Sequence, residues 1–494
     1  MVLNILQSGF GKKIKFICAA FIISFLYLLI FSAYSSPLFP GFYQYDSAIF
    51  MMVGKAIVSG KQLYIDVFDH KGPILFWINA LGMWMGGRNG VFLLQCLFMT
   101  VNLILMNRIT ELFDAGRYRI WVFAITMIYL AYPLANGNLS EEYSLPFIFL
   151  SLYLFLKDLQ KGENPTVRYS VIYGICMGVL LFIRANNAVT ICGIVLFWVL
   201  ELCYEKKIMV LLQNIIAGIA GIAAVTLPVC IYFAAKGSLQ EMFFATFQFN
   251  MKYSSRTNFL ATFTQKSVLV HMVILFAPLI MAAFVFIHND FSMRFRLAIE
   301  LILLLNFLSM FLGFGYNHYF MIEMPIVQIM VILELKILQY KRTGRKPDRI
   351  CRAARTIALS LVLVVYLVLF IRIICVNVRD YYISGAVTKE YATVQEMCKE
   401  IPDEEKNSVL GYEIPARYYL IGNILPCYKY GILQSFWSEV DPEIMQEYVA
   451  YLENQSPKWL LVQAGASQEG VDAVLVQKYE LVSTNEFCSL YQLK

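Results

Sequence analysis

Residues 69–86 read DHKGPILFWINALGMWMG, and the way this stretch is counted decides the topology of the whole chain. From Pro73 to Gly86 it is apolar, but it supplies only about half a span, since a bilayer core of about 30 Å needs roughly 17–25 residues of helix. Counted as a full span, it would invert everything after it. The basic run KRTGRKPDRICRAAR at 341–355 would then lie outside, against the positive-inside rule. Read as a juxtamembrane or re-entrant helix, it leaves the N-terminus inside. The inner loops are then 1–15, 108–118, 158–169, 204–208, 289–296 and 338–355, which carry most of the short-loop Lys and Arg, while outer loops 135–142 and 315–318 carry none.

Working outward, apolar runs at 16–34, 91–107, 119–135, 143–157, 170–184, 187–203, 209–235, 268–288, 297–315, 319–337 and 356–376 are the candidate spans. About eleven transmembrane helices follow, N-inside and C-outside. The first run is retained as a span, although SAYSS after it resembles a signal-peptide cleavage zone. Composition agrees. Of 494 residues, 59% are hydrophobic and 15% charged, against about 45–50% and about 25% in soluble domains. Mean hydropathy is +0.63. Disordered, fibrous and disulfide-scaffold classes are excluded. Nucleic acid is not an expected partner, because the net charge of +6 is spread over short loops.

The 11 cysteines include no C-x-x-C pair, which removes zinc ribbons and thioredoxin-type motifs. Eight lie in or beside apolar runs and read as packing residues. Cys398, Cys427 and Cys488 fall in the tail, where at most one bridge fits. That tail, 377–494, is charged and Tyr-rich. NSVLGYE, KWLLVQA and FCSLYQL read as strands, and 389–400 and 442–453 as amphipathic helices. The expected organisation is a transmembrane domain over 1–376 and a small extracytoplasmic α/β domain over 377–494.

Under this topology the unusual polar residues fall on one side. The first outer loop holds Asp46, Asp66, Asp69, His70 and Lys71, and the second holds Glu141 and Glu142. Arg184 lies at an outer hairpin, Lys252, Tyr253 and Arg256 in a long outer loop, and Asn317, His318 and Tyr319 at the end of another helix pair. An ionisable group at membrane depth costs roughly 2.5 kcal/mol or more, so it usually faces a cavity or a partner. Bland alternatives stand beside each. Arg184 could snorkel to the interface, Glu141 and Glu142 could be solvated, Asp46 could cap a helix starting at Ser47, and DHKGP could be a charged turn.

Three strings, YDSAIF at 45–50, DHKGPILFWINALG at 69–82 and SEEYSLPF at 140–147, together with GYNHYFMIEMP and IPARYYLIGNILPCY, resemble the membrane-embedded GT-C glycosyltransferases. The branch is that of protein O-mannosyltransferases and the bacterial aminoarabinose transferase of lipid A. The resemblance covers most of the chain at the level of layout. It implies that Asp46 acts as base or positions the acceptor, that Lys71 contacts a lipid-linked phosphate, and that Glu141 or Glu142 shares the acceptor role. The family often has two adjacent acids in the first loop, whereas here Ser47 follows Asp46. One missing carboxylate makes a poorer divalent-ion site, so no cofactor is required and a metal is the weaker expectation.

The implied activity moves a hexosyl or pentosyl sugar from a polyprenyl-phosphate donor to a hydroxyl of a lipid, polysaccharide or protein acceptor at the outer face of a bacterial plasma membrane, with inversion. Arg184 and His318 join Lys71 as candidate phosphate clamps. Tyr45, Asp69, His70, Asn317 and Tyr319 are candidate substrate contacts. The alternative is a polytopic transporter or a lipid-linked saccharide flippase. Against it stands the lack of a symmetric pair of Gly/Pro-broken spans.

Overall fold

The computed structural model describes residues 9–39, 43–255, 268–287, 291–310, 316–339, 349–379 and 386–494. Arg256, His288 and residues 341–348 of the basic run lie outside the described residues. Each apolar run falls on a helix. Five helical stretches are long and apolar enough to cross a membrane by length and composition: Gly11–Phe31, Arg88–Leu112, Val167–Tyr204, Ile208–Ala235 and Ala353–Asn377. This is a multi-pass membrane protein.

Contacts divide the chain into two compact units. One comprises Met1–Phe31, Gln95–Ile231 and Thr257–Val376, and the other Ser32–Leu94, Tyr232–Arg256 and Asn377–Lys494.

In the first unit, helices meet through small residues. A methyl group added at Gly174 would stand 2.0 Å from the Gly218 carbonyl oxygen, and one at Gly221 would stand 2.1 Å from that of Val171. Lipid tails are as apolar as leucine, so such close backbone approach, together with polar contacts, is what associates helices in a bilayer. The polar contacts are present as well. Ser170 donates to Asn214 at 2.6 Å, Thr190 to Asn306 at 3.0 Å, and Gln328 to the Met106 carbonyl at 2.7 Å.

In the second unit, helix Pro73–Gly86 starts with Gly72 as N-cap and Pro73 in its first turn, and ends at Gly87 with φ +61°. Proline suits the first turn because its missing N–H would be unsatisfied there anyway. Its 14 residues extend about 21 Å at 1.5 Å per residue, short of a bilayer core. It packs on helix Tyr45–Val58 at Gly54, where a methyl group would fall 2.8 Å from the Asn79 carbonyl carbon. Arg88 secures the segment that precedes Asp46. Its guanidinium is buried and donates to the carbonyls of Tyr34 (2.9 Å), Ala33 (2.8 Å) and Phe39 (2.6 Å).

The tail carries a four-stranded sheet of order β1-β2-β4-β3, formed by β1 Val409–Tyr412, β2 Trp459–Gln463, β3 Tyr479–Thr484 and β4 Cys488–Leu493. β1 and β2 are parallel with Val409 opposite Trp459; β4 is antiparallel to both of its neighbours. Helices Gln434–Val440 and Glu443–Gln455 lie in the β1–β2 crossover. Three strands match the sequence reading, and its two helices correspond to Ala386–Met397 and Glu443–Gln455. The strand it missed, β3, is an edge strand with mostly exposed side chains, so no apolar run marks it. Cys398, Cys427 and Cys488 form no bridge.

Gly174→Ala and Gly221→Ala are each expected to lower unfolding stability by at least about 1–3 kcal/mol, the usual range for overpacking. Gly86→Ala meets nothing within 4 Å and should be neutral. Thermal unfolding of the detergent-solubilised proteins, monitored side by side, checks this.

Candidate functional site

In the second unit, the loop between helices Tyr45–Val58 and Pro73–Gly86 is tied into the protein along its length. The Asp66 carboxylate accepts from the Gln62 N–H at 2.6 Å, closing a turn, and Tyr64, at φ +70°, pairs its N–H with the Val67 carbonyl at 2.8 Å. Phe68 N–H donates to the Lys429 carbonyl at 3.0 Å, and the Tyr64 hydroxyl to the Lys71 carbonyl at 2.7 Å. Asn250 donates to the His70 carbonyl at 2.6 Å. These bonds bury the charged string. Asp69, His70 and Lys71 are 1%, 7% and 8% exposed, so DHKGP is not a solvated turn.

The three side chains answer one another. Lys71 N–H donates to Asp69 Oδ1 at 2.9 Å, Lys71 Nζ lies 2.6 Å from His70 Nε2, and His70 Nδ1 lies 4.0 Å from Asp69 Oδ2. An ammonium only donates, so His70 Nε2 accepts and the ring hydrogen sits on Nδ1, the side of Asp69. Burial raises the Asp69 carboxyl above its ordinary range. Lys71 opposes that shift, and the charge of Asp46 adds to it.

Asp46 is therefore near enough to Asp69 to act on it. It is not the N-cap of a helix beginning at Ser47. The helix begins at Tyr45, Gln44 is the cap, and Asp46 lies in the first turn, where the helix dipole favours a carboxylate. Tyr45, with φ +46°, is 71% exposed.

In the first unit, Ala135, Asn136, Gly137 and Asn138 all have positive φ, a sharp reversal that aims helix Ser140–Lys161. Its two acids, which are 1% and 0% exposed, are not solvated, and they have different partners. Glu142 accepts from Gln95 Nε2 at 2.8 Å and the Asn138 N–H at 2.9 Å, while the Tyr143 hydroxyl donates to Asn138 Oδ1 at 2.7 Å. Glu142 thus holds the reversal. Glu141 is ion-paired with Arg184 and accepts from the Ser140 hydroxyl at 2.9 Å. The Arg184 guanidinium lies 4.1 Å from the Tyr319 ring centroid, and His318 packs edge-on to Tyr319 at 4.8 Å. A cation over an aromatic face is attracted by the ring quadrupole, so Arg184 is held on two sides rather than snorkelling. Asn317 donates to the Tyr132 carbonyl at 3.3 Å.

Asp46, Asp69, His70 and Lys71 thus gather in one unit, and Glu141, Arg184, His318 and Tyr319 in the other. Among the described residues, no three His, Cys, Asp or Glu side chains are placed to hold a metal ion. Sequence reasoning missed Gln95, Asn138, Asn250, Arg88 and Trp437, each of which acts on a candidate group or its loop. Gln95 and Arg88, polar residues in and beside an apolar run, were the available signal.

Comparison with solved structures finds ArnT from Cupriavidus metallidurans bound to undecaprenyl phosphate, at 12% identity and TM-score 0.60, covering 98% of each chain. The apo form of the same protein gives 12% identity and 0.59, covering 97% of each chain. An oligosaccharyltransferase from Archaeoglobus fulgidus, tethered to an acceptor peptide, gives 12% and 0.48, covering 98% of this chain and 74% of that one. No protein-family model and no curated protein matches the chain. At 12% identity the likeness to ArnT concerns the fold alone: over nearly its whole length the chain is folded as that protein is.

Two predictions follow from the geometry. Because the folded state raises the Asp69 pKa, it binds more protons than the unfolded chain between the ordinary carboxylate value and the raised one. Stability from this group is present below that window and is lost as pH rises through it. Asp69→Asn should therefore gain stability over wild type at pH 8 more than at pH 4, read as the difference in Tm. Glu142→Ala, which leaves the Gln95 amide and the Asn138 N–H unanswered, should cost about 1–3 kcal/mol per lost buried partner. Glu141→Gln, which removes the counter-ion of the largely buried Arg184 guanidinium, should also lower the unfolding temperature.

Proposed function

We propose that this protein is a glycosyltransferase that moves a hexosyl or pentosyl unit from a polyprenyl-phosphate donor to an acceptor hydroxyl at the outer face of a bacterial plasma membrane. The observation that carries the reading is the buried Asp69–His70–Lys71 string below Asp46. Burying three ionisable groups in succession costs stability, and their arrangement supplies what such a transfer needs. The fold supports it, as does the presence of undecaprenyl phosphate, a polyprenyl phosphate, in the ArnT structure.

In this mechanism the Asp46 carboxylate takes the proton of the acceptor hydroxyl. The oxygen attacks the anomeric carbon, the bond from that carbon to the phosphate oxygen breaks, and polyprenyl phosphate leaves with inversion at the sugar. The leaving phosphate needs charge neutralisation rather than protonation. The Lys71 ammonium is assigned to it as the cation of the buried string, held by the His70 imidazole. Asp69 orients His70. Of the two acids in the second outer loop, Glu141 is assigned the acceptor-side role and Glu142 a supporting one. Arg184 and His318 are further phosphate contacts, and Tyr45, Asn317 and Tyr319 further substrate contacts. The acceptor is a lipid, a polysaccharide or a protein. No step is routed through a metal.

Membranes containing the wild-type protein should transfer label from a polyprenyl-phosphate sugar and not from a nucleotide sugar. Asp46→Asn should lower the rate about 10²–10⁴-fold, the usual worth of a general base. Lys71→Ala should lower it about 10²–10³-fold, as for a lost charge-stabilising donor. Labelled lipid that crosses the bilayer unchanged, equally in both variants, would replace transfer by flipping.

A further inference from the structure

Lys71 does not hold its own position. Its ammonium leans on His70 Nε2 at 2.6 Å, and the imidazole in turn is held by aromatic rings. Trp437 lies 5.2 Å from it at 67°, Tyr253 at 5.4 Å and Phe249 at 5.8 Å. Trp437 is the largest of these. It packs edge-on against Phe68 at 5.7 Å and Phe249 at 5.6 Å, and it is 2% exposed.

Its helix, Gln434–Val440, belongs to the C-terminal tail and is fastened to the tail's sheet. Gln434 donates to the carbonyls of Gly411, in β1, at 2.7 Å and of Tyr430 at 2.6 Å, and accepts from the Glu413 N–H at 2.8 Å. At the other end Asp441 is ion-paired with Lys252 at 2.7 Å, on the same short helix as Phe249, Asn250 and Tyr253. A continuous set of contacts thus runs from strand β1 through Gln434 and Trp437 to His70 and Lys71. Among the described residues the Trp437 indole N–H has no hydrogen-bond partner, so the residue acts here through the bulk and face of its ring.

We propose that Trp437 is the positioning residue of the donor-phosphate contact. It fixes the His70 imidazole so that Nε2 stays turned to the Lys71 ammonium, and it makes the C-terminal tail part of donor recognition. This rests on the phosphate role proposed for Lys71. Without Trp437 the imidazole can rotate, and the ammonium loses the acceptor that aims it. The cost falls on binding of the lipid-linked donor. Acceptor binding is unaffected, while turnover falls together with donor binding, because the same ammonium neutralises the leaving phosphate.

The test uses the full-length protein in lipid nanodiscs, with a labelled polyprenyl-phosphate sugar as the varied substrate. Trp437→Ala should raise the donor KM at least tenfold and lower kcat with it, with acceptor KM within about threefold of wild type. Trp437→Phe should restore the donor KM to within about threefold, since a ring without the N–H suffices. His70→Ala should raise the donor KM similarly, and the double variant should be no worse than His70→Ala alone, the signature of two residues acting in series. A loss of kcat with donor KM unchanged, or full additivity of the two substitutions, would overturn the proposal. If Trp437→Ala does not fold, the Phe variant and His70→Ala still decide it, because a Phe variant with a tenfold higher donor KM is incompatible with it. Lys71→Ala with unchanged transfer would instead remove the phosphate role itself, and this proposal with it. That outcome is distinguishable because it does not depend on any Trp437 variant.

Discussion

A bilayer interior donates and accepts no hydrogen bonds, so every polar group the chain carries into it must be answered by the chain itself. The helices answer their own backbones. Several side-chain amides and hydroxyls are answered across helix pairs, as with Ser170 and Asn214 or Thr190 and Asn306, or back onto the helix, as with Thr126 and the Val122 carbonyl. Under that constraint an ionisable group is kept only where it has a partner or a task. Glu142 has partners enough to be explained by the loop it holds. Lys71 is buried against His70, and its charge acts on Asp69.

The same rule separates two adjacent acids that composition cannot tell apart. Glu141 and Glu142 are one residue apart in the first turn of one helix, so their side chains leave it about 100° apart. One meets an arginine and the other an amide and a backbone N–H. An ion pair can open toward an incoming charged or hydroxyl-bearing group. An acid that holds a left-handed reversal of four residues cannot move without releasing the loop.

Much of this was readable in the residues. Apolar run length separated full helices from the half-span Pro73–Gly86, and the Pro and Gly at its ends marked its limits. Short apolar strings in the tail found β1 and β2, whose side chains are largely buried, and β4, whose side chains are buried or half-buried. They missed β3, whose exposed edge position removes the hydrophobic signal. The candidate residues were found as types out of place, such as charges beside apolar runs. What they touch was not readable. Asn250 reaches back 180 positions to His70, and Trp437 reaches 367 positions to the same ring, separations across which local periodicity carries no information.

Hydropathy, charge placement and short motifs, all local properties of the chain, therefore determined the membrane class, the position of the helices and the choice of candidate side chains. Only the tertiary structure decided that the DHK string is buried, that Glu142 is a loop holder while Glu141 faces Arg184, and that the tail bears on Lys71 through Trp437. Burial and partnership depend on segments far apart in sequence packing side by side, and the free energy that selects one such packing is a sum over contacts that no single segment contains.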